Sequence, residues 1–391
     1  MRCRSVLLGF LSAAAVACGA PAAAPSDCAE VLAPDAWVGA DPPRWVELWR
    51  SGGAESEVEL AVPIMIQPAP DGRLAIADFQ LGLGGLGPDG EWIGPLTRPG
   101  EGPGEVGSPL AASYADDGTL AILDFMGGKV VFLDRDGGLV REFPIDPAPL
   151  SQVMMSGELH GLGLTADGTT LLIVREVVRE ELSVRQALLR LPADGGTADT
   201  IATATVPALG GDFHHETAPG WPRLVSAAAP DGRIAYAGHE AGYEIVILTP
   251  DGARSDVCRP VEPETIRQDE LLAPRGMRPH RRRSYEEALS AAPRPDRPAA
   301  ISRLLFGRGG RLWVERERFG RQDGGAAFTG RPGSTFDVFD ADGRFLGETG
   351  APDGVHVMAA TGDTVWGLRY DAFDVPSVIA FRLARQGTAA R

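Results

Sequence analysis

Short apolar runs, each bounded by polar turn residues, follow one another along most of this chain. Two stretches show the unit most clearly: Asp71-Gly72-Arg73-Leu74-Ala75-Ile76-Ala77-Asp78 and Asp117-Gly118-Thr119-Leu120-Ala121-Ile122-Leu123-Asp124. In both, an Asp-Gly pair opens a strand-forming run, because glycine admits positive φ and aspartate satisfies nearby backbone donors. Further copies begin at Asp167-Gly168, Asp231-Gly232, Gly309-Gly310 and Gly362-Asp363. A second turn series follows at Asp89-Gly90, Asp136-Gly137, Asp194-Gly195, Asp251-Gly252 and Asp342-Gly343. Strands flank these turns too, as at Val130 to Leu133, Glu244 to Leu248 and Thr335 to Phe339. Each unit therefore reads as four strands, A-turn-B then C-turn-D.

The last unit has A around Val355 to Ala359, B at Thr364 to Leu368 and C at Val378 to Leu383, but no D strand. Conversely, Arg44 to Arg50, RWVELWR, precedes the first A strand at Val62 to Ile66 and belongs to no unit. Joining the two ends leaves no unit half-built. The expected fold class is all-β, a six-bladed β-propeller closed by an N-terminal strand in the last blade. A pair of β-sandwiches would not explain two interleaved turn series in one register. Trp313 and Trp366 share a B-strand position and are expected to pack between blades, as is Trp49 in the closing strand.

At the N-terminus, Arg2 and Arg4 precede an apolar run from Val6 to Ala17, the charge-then-hydrophobe order of a secretion signal, and the run is too short for an ordinary membrane span. The junction Ala15-Val16-Ala17-Cys18-Gly19 resembles the lipobox of bacterial lipoproteins, in which Cys18 would be lipidated and become the mature N-terminus; conventional cleavage after Ala20 or Ala24 is the alternative. The expected layout is a signal peptide over 1–17, a flexible tether over 18–41, the propeller over 42–385 with an insertion at 260–298 between blades four and five, and a tail over 386–391. The destination is the cell envelope, at the outer membrane or facing the periplasm.

Composition narrows the classes further. Fifty glycines and 32 prolines in 391 residues disfavour long-helix architectures, while a hydrophobic share of 44% disfavours disorder. The net charge of −16 disfavours wrapping nucleic acid. Four cysteines, at 3, 18, 28 and 258, are too few for a disulfide scaffold and lack zinc-site spacing. A single Cys28–Cys258 bridge fits an oxidising compartment.

The turn pattern, the strand spacing and the segment Arg98-Pro99-Gly100-Glu101-Gly102-Pro103-Gly104-Glu105 together resemble exported bacterial six-bladed propellers related to the NHL-repeat and TolB-like propellers, many of which carry a GxGPGE-type link between blades one and two. The resemblance covers roughly residues 42 to 385. It implies a fold and no activity, because such proteins include binding scaffolds, hydrolases and lyases.

In this topology the A-B and C-D turns share one face, while B-C loops and D-A connections share the other, and nearly all spare length falls on the second. Longer connections cost little extra closure entropy and offer a variable recognition surface. The largest is expected to hold short helices at 263–272 and from Ser284, an N-cap with Glu287 three residues on. Arg275, Arg278, His280, Arg281, Arg282 and Arg283 lie between them, a cluster suited to an anionic group or neutralised by Glu286 and Glu287.

Six residues beyond each first-series turn stand Asp78, Asp124, Val174, Gly238, Arg316 and Arg369, near the exits of the B strands. His160 and His356 lie near the inner A strands of blades three and six, which oppose each other across a six-membered ring; related amidating lyases of this architecture use central histidines. Asp78, Asp124, His160, Arg316, His356 and Arg369 are the candidate ligand-binding residues. No GxSxG elbow, HExxH pair or P-loop occurs, so no catalytic residue, metal ligand set or cofactor is assigned. The expected function is an envelope-anchored or periplasmic binding or interaction propeller. Its partner would be an envelope protein, peptide or carbohydrate, with no nucleic acid and with membrane contact through the lipid anchor only. The alternative is a propeller hydrolase or lyase with a central polar or metal-dependent site.

Overall fold

The computed structural model describes residues 30–38, 42–53, 56, 58–146, 149–150, 162–194, 196–213, 216–218, 220–238, 242–261, 278–296, 298–317 and 333–385. After β1 (Arg44–Gly52), strands follow in groups of four. Sheet one holds β2 (Pro63–Pro68), β3 (Leu74–Asp78), β4 (Gly82–Leu86) and β5 (Trp92–Pro95). Sheet two holds β6 (Pro109–Tyr114), β7 (Leu120–Asp124), β8 (Lys129–Leu133) and β9 (Leu139–Pro144). Sheet three holds β10 (Gly163–Leu164), β11 (Thr170–Val178), β12 (Ser183–Leu191) and β13 (Asp199–Pro207). Sheet four holds β14 (Val225–Ala228), β15 (Ile234–Ala237), β16 (Glu244–Leu248) and β17 (Arg254–Cys258). Sheet five holds β18 (Ile301–Phe306), β19 (Leu312–Arg316), β20 (Thr335–Phe339) and β21 (Phe345–Gly350). The last sheet joins β22 (Val355–Thr361), β23 (Thr364–Tyr370) and β24 (Pro376–Ala384) to β1.

These are six four-stranded antiparallel sheets, the arrangement of a β-propeller. The first strands touch in succession, β2 to β6, β6 to β10, β10 to β14, β14 to β18, β18 to β22 and β22 to β2. Middle strands are covered on both faces by neighbouring sheets, so every residue of β7 and β8 is buried, whereas β9 at the outer edge is largely exposed. The Asp-Gly turns work as their chemistry demands: Gly118 sits at φ +89° while the Asp117 carboxylate accepts the Thr119 N–H at 2.8 Å. β1 pairs antiparallel with β24, Trp45 opposite Leu383 and Arg50 opposite Ile379. Trp45 also meets Trp313 of sheet five edge-on, at 6.4 Å between ring centres. Trp313 is fully buried and Trp366 nearly so, both as packing residues.

Two sequence expectations need correction. The tether proposed for 18–41 is docked over residues 30–38, because β21 offers an open edge. Phe345 N–H donates to Val31 O, Ala33 N–H to Phe345 O and Trp37 N–H to Leu346 O, while the Trp37 indole donates to Glu348 O. Ala33 and Trp37 are thereby buried. The second correction concerns the insertion. Among the described residues of the insertion there is one helix, α1 (Pro279–Ala291), and it begins at a proline rather than at Ser284. Ser284 lies inside it with its hydroxyl turned back to His280 O, so the arginines at 281–283 are helical. The expected helix at 263–272 falls outside the described residues.

Candidate functional site

The described parts of the long connections and of the B-C turns gather at one end of the sheets. There α1 lays Leu289 and Tyr285 on Leu209, Phe213 and Ala218, with the Tyr285 ring edge-on to Phe213 at 4.9 Å. Burial, and then the neighbouring Glu216 carboxylate, push the Tyr285 phenol well above its ordinary pKa. Between the C-terminal half of α1 and the ends of β12 and β13 lies a cavity of about 570 Å³, walled chiefly by Leu182, Val206, Trp221, Ala288, Ala292 and Pro293.

Asp78 and Asp124 stand at this end but face inward, 2% and 0% exposed. Asp78 Oδ2 accepts the N–H groups of Ala61 and Val62 at 2.9 and 2.8 Å, and Oδ1 those of Gln80 and Leu81 at 2.8 and 3.1 Å. Asp124 likewise takes Gly107 and Ser108 N–H at 3.1 and 2.8 Å. Each carboxylate thus fastens the incoming connection to the exit of its own B strand, and the two have separate partners. The GEGPGE link before β6 is tied by Lys129, whose ammonium donates to Gly102 O at 2.7 Å and to Glu142. It presents carbonyls to a cation, the opposite polarity from a phosphate-cradling loop.

The other positions in that register differ for local reasons. Glu317 N–H donates to Ala300 O as Phe125 N–H does to Ser108 O, so Arg316 is the counterpart of Asp124. Val174 lies in mid-strand because β11 runs on to Val178. Gly238 holds φ +83°, and a Cβ there would come within 1.8 Å of Arg223 O, which bars any side chain.

Arg316 points into an ionic cluster between sheets four and five. It pairs with Asp337 at 2.7 Å and with Glu348, while Arg259 pairs with Asp337 at 2.6 Å, Glu348 at 2.9 Å and Glu30 of the docked segment at 2.7 Å. Asp337 is fully buried. Burial alone would lower the Arg316 pKa, but the bonds and charges of Asp337 and Glu348 outweigh it and raise it. Burial would raise the Glu348 pKa, and its bonds to Arg259 and Arg316 outweigh that and lower it. Burial and the Asp337 charge push the neighbouring Tyr243 phenol far above its usual value. Cys258, next to Arg259, is disulfide-bonded.

His356 is buried with its ring edge-on to Tyr370 at 5.6 Å, and Arg369 donates to Asp353 O at 2.6 Å. His160, Cys18 and Cys28 lie outside the described residues. The narrow central cavity, about 170 Å³, is lined chiefly from the first strands, and its surface is more polar than apolar, with Gln67, Ser113, Ser226 and Arg303 among the lining residues; Met358 lines it, and His356 does not. Arg303, unmarked in the sequence, is held there by Glu315 at 2.7 Å and by Val357 O at 2.7 Å. Among the described residues no group of three or more His, Cys, Asp or Glu is placed to hold a metal ion, and no described helix is long and apolar enough to cross a membrane.

No protein-family model and no curated protein sequence matches the chain. Its fold is similar to those of several solved structures. A DUF4221 family member from Bacteroides vulgatus shares 10% identity at a TM-score of 0.47, over 87% of this chain and 98% of that one. Virginiamycin B lyase from Staphylococcus aureus shares 11% at 0.37, over 85% and 98%. The calcium-binding protein regucalcin from Agrobacterium tumefaciens shares 10% at 0.38, over 88% and 96%. Scores and identities this low carry nothing about chemistry, and the architecture rests on the chain's own sheets.

Proposed function

We propose that this chain is an exported, envelope-anchored binding propeller, six-bladed and closed by β1, related to the NHL-repeat and TolB-like propellers, whose loop-rich face receives an envelope partner. One observation carries the reading: the long connections, α1 and an apolar cavity of about 570 Å³ converge on the same end, within the size range of ligand sites. The candidate residues support binding over chemistry. Asp78 and Asp124 spend their carboxylates on backbone donors, and Arg316 spends its guanidinium on Asp337 and Glu348. They shape the face, and Arg369 with the connection residues is left to contact a partner.

Cys18 is the proposed lipid anchor, and Cys28 the proposed partner of Cys258, supported by the ion pair between Glu30, two residues after Cys28 in the sequence, and Arg259, the residue after Cys258. Intact mass of protein purified from its host tests the first, where an unmodified N-terminus at another residue would reject it. Non-reducing peptide mapping tests the second.

The binding reading is tested by presenting the mature protein to solubilised envelope extract and cross-linking what it retains. Ala288→Trp, which fills the cavity, and Leu182→Asp at its wall are expected to weaken capture about ten-fold or more, equivalent to about 1.4 kcal/mol. Asp136→Ala, on a turn at the opposite end, should leave capture unchanged. Cross-links confined to the turns at 87–91, 134–138, 249–253 and 340–344 would overturn the placement.

A further inference from the structure

The B-C turns share a feature that the residue types alone did not advertise. In each of the four that the structure describes, an exposed large apolar side chain stands at the tip: Leu81 in sheet one, Met126 in sheet two, Leu182 in sheet three and Phe373 in the last sheet, where Phe373 is 87% exposed. Among the described residues, no A-B or C-D turn at the opposite end carries an exposed Leu, Ile, Val, Met or Phe. The asymmetry concerns the turn tips themselves, since exposed Leu139 and Val140 directly follow the C-D turn at 134–138.

The tips are held out by the backbone rather than left to wander. Asp78 clamps the N–H groups of Gln80 and Leu81, and Asp371 clamps those of Phe373 and Val375. The two non-glycine residues at positive φ among the described residues, Leu182 at 46° and Asp374 at 62°, both lie in these turns. Strained backbone of that kind persists where the surroundings enforce it, characteristically at functional positions.

We propose that this end of the protein rests on a phospholipid bilayer, with the turn tips entering the acyl boundary and the α1 arginines meeting headgroup phosphates. The proposal rests on the reading that the loop-rich face is the binding face, and it assigns that face's partner. A protein interface is built around a contiguous, fully buried apolar centre. These side chains stand on separate sheets, and a fluid bilayer can accept each one independently. Arg282 and Arg283 are exposed on α1 at the same end, where guanidinium and phosphate geometries match. The proposed anchor at Cys18 would hold the chain near the surface, so weak insertion at several tips becomes an intramolecular event of high effective concentration.

The test places mature protein, purified with its own anchor, on phosphatidylcholine vesicles whose acyl chains carry bromine, a short-range quencher of tryptophan. Met126→Trp and Phe373→Trp are each expected to lose about half of the fluorescence they add to wild type, as side chains at the acyl boundary would. Leu139→Trp, exposed beside a C-D turn, should lose none. A Met126→Asp, Phe373→Asp double variant should abolish quenching of a Leu182→Trp reporter. Equal quenching at Leu139→Trp, or none at either tip, overturns the proposal. If the tips stay unquenched while the double aspartate variant loses capture of an envelope protein, the surface takes a protein and the binding face stands. If capture maps to the opposite turns, both readings fall.

Discussion

Asp78 and Asp124 illustrate how a side chain can look like a ligand group and act as a fastener. Removing the acceptor strands backbone donors in a connection and a turn at once. Asp78→Ala and Asp124→Ala should each cost about 3 kcal/mol in urea unfolding, whereas Arg369→Gln, an exposed donor to a single carbonyl, should stay within about 0.5 kcal/mol. Equal effects at all three sites would contradict this division of labour. Gly238→Ala should be severe as well, above about 2 kcal/mol, since its Cβ would press on the Arg223 carbonyl. The register that singled out positions 78, 124, 238 and 316 was legible in the chain because the turns before them repeat. Their roles were not, because the backbone groups that fill Asp78 and Asp124 sit in connections whose path no local pattern fixes. The apolar tips were hidden for a related reason. A Phe or Met beside a strand end reads as strand until the turn is seen to push it outward.

Among the elements, the docked segment at 30–38 departs most from its sequence. Alanine and proline around it gave a linker composition, and its two buried anchors, Ala33 and Trp37, become anchors only against the edge of β21. The α1 helix was displaced for a simpler reason: Pro279 at its first turn supplies a start that a serine cap seemed to supply later. Arg259 bridges the docked segment to β21 by pairing with Glu30 and with Glu348, which makes the docking sensitive to acid. Glu348 has a folded pKa below its ordinary 4.5, so its contribution is complete above that value and is lost as pH falls through the lower folded value. Protection factors at 31–37 and 345–350, corrected for the intrinsic exchange rate at each pH, should therefore hold steady above 4.5 and fall as pH drops through the lower folded value. A fall in these corrected protection factors on raising the pH from 6 to 8, with none in acid, would contradict the sign. Reduction of the Cys258 disulfide should also speed exchange at 31–37 at constant pH, with little effect on the middle strands.

For the whole molecule, the inferred ring makes distant parts of the chain mutually dependent. β1 covers the edge of β24 and sets Trp45 against Trp313 and Phe381. Deleting residues 42–51 should expose that edge and speed hydrogen exchange at 378–383, far away in sequence. Unchanged protection there would remove β1 from the fold's closure. The same ring separates two ends of different character, one of tight Asp-Gly turns and one of long connections, an apolar cavity and projecting side chains. On that separation rests the central claim, that the second end meets the partner. It is tested most directly by comparing hydrogen exchange of the mature protein free in detergent with that of the protein in its native envelope membranes. The account predicts added protection at 79–81, 125–128, 179–182 and 371–375, with the turns at 87–91, 134–138, 249–253 and 340–344 unchanged. Protection confined to those four opposite turns would contradict it.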